Sequence, residues 1–246
     1  MHQTTDFPRA ERLLYASYAL LALAAVLGPH VPQAALYHQF ADGRAWHGLP
    51  HAADVLSNLP FGIFGAAGLW LLARGAGGRA RACLGLLFGG LLLTCVGSSR
   101  YHLAPDDAGV FWDRLGMVPA FAGMLALAVQ SRWGSRPAWV TAALVLAAGP
   151  ASLAVWRASG QLLPWALLQG GGMALLVLLA WVRPAPGRTP WPLAAVVAWY
   201  ALAKLLEWGD AAVWQWSGHW VSGHTLKHMA AALAVWPVLQ MLHKDF

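Results

Sequence analysis

The residues best able to do chemistry in this chain fall in two short stretches. One is Gly97-Ser98-Ser99-Arg100-Tyr101-His102, followed by Asp113. The other is His224-Thr225-Leu226-Lys227-His228. On helices, residues four apart are stacked neighbours, so Ser98 shares a face with His102 and His224 shares one with His228. Three imidazoles, His102, His224 and His228, with one open position suit the donor set of a catalytic zinc, with nitrogen ligands, tetrahedral geometry and a water in the fourth place, although spacing alone does not exclude iron or another divalent metal. Asp113 has the chemistry to take a proton from that water, and the Ser98 hydroxyl to hold the water or a developing oxyanion. Plainer roles stay open from the residues alone. Asp113 also suits a helix N-terminus, and Ser98 can bond back to its own helix.

The elements that must position these groups are membrane helices. Of 246 residues, 59% are hydrophobic and 11% charged, whereas a soluble domain carries about 25% charged residues. The net charge of +6 does not mark a nucleic-acid binder, because the arginines are scattered singly and form no patch. The two cysteines, Cys83 and Cys95, lie in one apolar run and offer neither a disulfide framework nor a thiolate metal site.

A spanning helix needs about 20 mostly apolar residues. Eight such runs are predicted, at about 13–28, 51–73, 81–103, 109–130, 138–155, 162–182, 191–208 and 220–242. Residues 1–246 are read as a single polytopic domain. Residues 1–50 supply an extra N-terminal helix and an outer loop, and 51–246 a seven-helix core. The predicted class is an all-α integral membrane protein with that core plus one extra transmembrane helix. Arg9 and Arg12 ahead of a short apolar core also suit a secretory signal, but the helix is expected to be retained.

With the N-terminus inside, the inner segments hold Arg9, Arg12, Arg74, Arg79, Arg81, Arg132, Arg136, Arg183, Arg188 and Lys244, while the outer loops hold Arg44 and Arg157, setting aside Arg100 and Arg114 at the helix ends. The bias predicts both termini in the cytoplasm. His102 then ends an outgoing helix, and Asp113 and His224 begin ingoing ones, all at similar depth near the outer face. The abundance of Ala, Gly, Arg and Trp suggests a bacterial source and hence the inner membrane. Trp46, Trp112, Trp133 and Trp220 read as an interfacial belt.

A second polar group comprises Asp54, Ser57 and Asn58 at the start of the second run and Lys204, Glu207 and Asp210 at the end of the seventh. Lys204 and Glu207, three apart, could simply pair. Asp54, Glu207 or Asp210 could instead orient the zinc histidines. Lys227, about 100° around the helix from its histidine neighbours, is expected to reach the surface. His219 is a possible further ligand.

Gly97-Ser98 with Tyr101-His102, then Asp113-Arg-Leu-Gly-Met117, then His224 and His228, resembles the alkaline ceramidases. These belong to the CREST superfamily of membrane hydrolases. Asp54-Val-Leu-Ser57-Asn58 resembles the Ser-Asn element of that family's first core helix. The likeness runs from about Asp42 to the C-terminus. It implies zinc on His102, His224 and His228, with Ser98 and Asp113 around the catalytic water. It also implies hydrolysis of the amide bond of ceramide or a related N-acyl lipid drawn from the bilayer. The chain departs from the family where the animal enzymes carry an acidic calcium-binding segment. Here that segment reads Asp42-Gly-Arg-Ala-Trp46, and only Asp42 and Asp54 offer carboxylates. Calcium wants several oxygen ligands and is therefore doubtful. The competing classes are a receptor-like or regulatory membrane protein with a structural metal, and a transporter with intramembrane carboxylates as proton relays. A transporter would be expected to show internal repeats, and none is visible.

Overall fold

The computed structural model describes residues 8–243. Lys244, counted above with the inner segments, lies outside the described residues. Within them every regular element is a helix, and the only extended pairing is a single bridge between Trp46 and Leu49. The main helices are α1 (Pro8–Leu27), α2 (Ala52–Leu56), α3 (Leu59–Ala73), α4 (Arg81–Leu103), α5 (Asp107–Trp133), α6 (Ser135–Ser159) and α7 (Leu163–Trp181). They continue with α8 (Leu193–Trp208), α9 (Asp210–Trp216), α10 (Gly223–Leu233) and α11 (Trp236–His243). Among the described residues, six segments are long and apolar enough to cross a membrane: α1, α2 with α3, α4 with the turn before it, α5, α6 and α7. This is an all-α membrane protein.

Two predicted runs are broken where proline forbids a continuous helix. Pro60 has no N–H for the Leu56 carbonyl. The chain turns at Ser57 and Asn58, whose side chains both donate to the Asp54 carbonyl (3.0 and 2.9 Å). Pro237 likewise cannot donate to Leu233, and the last run divides into α10 (11 residues) and α11 (8 residues). The seventh run forms α8, 16 residues long.

Successive helices reverse direction through short connections. The C-terminal ends of α4 and α8 therefore share one end of the bundle with the N-terminal ends of α2, α5 and α10. The loop over 28–51 joins them there. The basic connections at 74–81, 132–136 and 183–188 lie at the other end. Exposed Trp46, Trp208, Trp216 and Trp220 ring the first end, the placement expected of an interfacial belt.

The α4–α5 hairpin packs backbone on backbone through four glycines. A Cβ at Gly97 would lie 2.5 Å from the Trp112 carbonyl oxygen, and one at Gly116 2.5 Å from the Leu93 carbonyl oxygen. Gly90 and Gly123 leave still less room, against Ala120 and Leu87 respectively. Lipid tails provide no hydrophobic drive between helices, so close approach of this kind is what holds membrane helices together. Phe88, Leu84, Leu125 and Leu127 fill the core alongside, fully buried. In contrast, α1 lies at the periphery. Only 6% of its apolar stretch is buried, against 56% for α5. It is fastened by Leu21 over Gly171 and by a 2.7 Å hydrogen bond between the Tyr18 and Thr141 hydroxyls.

Candidate metal centre

His102 sits in the last turn of α4, and His224 and His228 occupy successive turns at the start of α10. That start is fixed by Ser222, whose hydroxyl accepts the Thr225 N–H at 3.0 Å as an N-cap. Gly223 lets α10 lie against the Leu206 carbonyl of α8, where a Cβ would collide. The three rings meet with every pair of centroids 4.9 Å apart, each buried to 6% exposure or less. One nitrogen from each can be chosen so that all lie within 4.8 Å of one another, close enough to hold a metal ion.

The detailed geometry fits such an ion. Nε2 of His102 and Nε2 of His224 are 3.3 Å apart. Two nitrogens about 2.0–2.1 Å from a tetrahedral zinc stand roughly 3.3–3.4 Å from each other. His228 Nδ1 is 2.8 Å from the Ser57 hydroxyl, which itself donates to the Asp54 carbonyl. A hydroxyl has one proton to give. The His228 Nδ1–H therefore donates to Ser57, and Nε2 is left with a free lone pair. This is how the outer nitrogen of a metal-binding histidine is normally held. Nδ1 of His102 is buried without a partner.

The carboxylates act on the frame rather than on the rings. Asp54 accepts from the Thr225 hydroxyl at 2.7 Å. Asp210 accepts the His224 backbone N–H at 2.8 Å and that of Ala41 at 2.9 Å, tying the loop over 28–51 to α10. That tie sets Phe40 over the cluster, its ring 4.7 Å from His102 and 4.3 Å from His224 between centroids. Asn58 bonds to the Asp54 carbonyl. His219 stays outside the cluster, its ring against Trp214.

Ser98, one turn before His102, is buried, and Asp113 is half-buried. Both line a cavity of about 100 Å3 that reaches His228. An apolar chamber of about 150 Å3 adjoins it, and Phe61, Thr94, Met117 and Trp165 form walls of both.

Lys227 departs from expectation. It does not run to the surface but pairs with Glu207 at 2.6 Å, and Lys204 meets the other oxygen of the same carboxylate at 2.6 Å. The reason is that α8 packs on the flank of α10 that carries Lys227. Arg114, Gln169 and Tyr200 also line the polar cavity and were not singled out from the sequence. For Arg114 the signal was there, a cation inside an apolar run.

The segment around Asp42 does not fit calcium. Both Asp42 oxygens are held by Arg44, through Nε and Nη2 at 2.8 Å each. The same guanidinium takes the His219 and Trp220 carbonyls at 3.0 Å each, so a guanidinium already fills the centre of that oxygen set. Burial disfavours the charged Asp42 carboxyl, but its bonds from Arg44 outweigh this and hold it below the usual carboxylate range.

Comparisons with protein-family models, with curated proteins and with solved structures returned no match.

Proposed function

We propose that this protein is a zinc-dependent membrane amidohydrolase that cleaves ceramide or a related N-acyl lipid. The observation that carries the reading is the convergence of three buried imidazoles beside Ser98 and Asp113. The likeness to the alkaline ceramidases in the order of these residues supports it. A zinc ion on His102, His224 and His228 would supply a Lewis acid for the amide carbonyl and a water of lowered pKa.

The chain's own groups supply the rest. Ser57 holds the His228 ring in the tautomer that leaves Nε2 free. Asp113 takes a proton from the attacking water and returns it to the leaving amine nitrogen. The Ser98 hydroxyl donates to the oxygen on which charge develops. Phe40 keeps bulk water from the outer side of the rings. The apolar chamber beside the cavity takes the acyl chain. With the basic end of the bundle in the cytoplasm, both termini lie there. The site then opens toward the outer leaflet of a bacterial inner membrane.

The test is metal analysis coupled to a mass-spectrometric screen of N-acyl lipids for released fatty acid. Zinc is expected in stoichiometric amount and should be lost from His102→Ala and His228→Ala. Asp113→Asn should keep the metal and lose at least about a hundredfold in turnover. Full turnover in Asp113→Asn would remove the proton-acceptor role. Bound metal with no lipid hydrolysed would leave a structural site in a receptor-like protein.

A further inference from the structure

The polar cavity beside the histidines carries more positive charge than the proposed reaction needs. Its wall includes three cations, Arg114, Lys204 and Lys227, and two carboxylates, Asp113 and Glu207. At neutral pH that leaves one positive charge in excess before any metal ion is counted.

The bonding shows where the excess is available. Glu207 takes one bond from Lys204 and one from Lys227. An ammonium group has three donors, so each keeps donors beyond this pair. Arg114 is 4% exposed. Its Nη2 reaches Gln33 at 2.7 Å, and the guanidinium lies over the Trp156 and Tyr37 rings. Its Nη1 is buried with no hydrogen-bond partner among the described residues. A buried guanidinium N–H without an acceptor is costly, and a cation at membrane depth is retained for a partner or a function. The neighbouring chamber is apolar, and a low-dielectric wall strengthens attraction to an incoming anion.

We infer that Arg114, Lys204 and Lys227 form an oxyanion-binding subsite, so that the lipid taken by this site carries a carboxylate or phosphate on its amine portion. The inference rests on the hydrolase reading for the identity of the scissile bond, but the subsite itself does not depend on turnover. A neutral hydroxylated headgroup could accept from Arg114 Nη1 but would leave the surplus charge unanswered. An anionic headgroup answers both.

The test uses the purified protein in phosphatidylcholine nanodiscs and matched probes that cannot be hydrolysed. Hexadecylsulfonyl glycine is compared with its methyl ester, and hexadecylsulfonyl ethanolamine phosphate with the free alcohol. Equilibrium binding is expected to favour at least one anionic member by about tenfold or more. The pair with the larger ratio identifies the oxyanion. Lys227→Gln should bring that ratio toward unity, and Glu207→Gln, which frees both lysines, should raise it. Opposite shifts from adjacent groups are not what a general loss of folding produces. Equal binding within both pairs overturns the inference, and so does a ratio that neither substitution moves. If neutral N-acyl lipids are hydrolysed while the ratio is unity, the hydrolase stands and the subsite falls. If the ratio holds but no N-acyl lipid is cleaved, the subsite stands and the hydrolase reading falls.

Discussion

Between α4 and α5, backbone meets backbone. Between α8 and α10, a carboxylate sits between two ammonium groups at the edge of a cavity. Both pairs supply the candidate centre. The first provides Ser98, His102 and Asp113, and the second His224, His228 and the Glu207 cluster. The glycine-lined hairpin leaves nothing that can yield, because the atoms facing Gly90, Gly97, Gly116 and Gly123 are chiefly main-chain. The charged pair is held by long side chains that can rearrange. Rigid positioning is what a metal ligand and its proton acceptor require. Adaptable charge suits a surface that must receive and release a ligand. The difference is that α4 and α5 meet chiefly through backbone, whereas α8 and α10 add an adjustable charged pair beside the close contact at Gly223.

Substitutions can break that contrast, and the largest effect is expected at Gly90. Gly90→Val drives a branched side chain into the Ala120 backbone and should cost at least about 1–3 kcal/mol, read by denaturant titration in detergent. An unchanged midpoint would mean that the two helices are not in backbone contact. Gly97→Ala presses on the Trp112 carbonyl and on the residue that carries the proposed proton acceptor. It should lose about a hundredfold in lipid turnover, since small misplacements near a reacting group are that costly. Metal content should be unchanged, and equal losses of metal and turnover would show that the strain reaches His102 instead. Glu207→Gln is expected to have the smallest effect on stability, about 1 kcal/mol or less, because the Lys204, Glu207 and Lys227 side chains all keep partial exposure. A loss as large as that of Gly90→Val would mean that the charged pair, too, is a rigid frame.

How much was legible beforehand varies with the range of the interaction. The membrane class, the helical character and the runs behind α1 to α7 follow from long apolar stretches, which leave few other structures open in lipid. The i, i+4 spacing of His224 and His228 is likewise a local property, and so is the pairing of Lys204 with Glu207. The breaks at Pro60 and Pro237 were written in the chain as well, but the apolar runs continue through them and conceal them. The direction of Lys227 depends on which helix packs beside it. Its angle around its own axis is not enough. Phe40, from a loop with no periodicity, gave no sign that it would cover the histidines.

The sequence by itself determined an apolar helical chain with its ionisable groups gathered at helix ends, because burial in lipid and helical periodicity act over a few turns. Only the tertiary structure decided that His102 meets His224 and His228 across more than a hundred residues, that Ser57 rather than a carboxylate orients the His228 ring, and that Arg114 and Lys227 face one cavity. Those outcomes depend on how closely particular helices approach, and that is set by packing between glycines and backbones far apart in the chain.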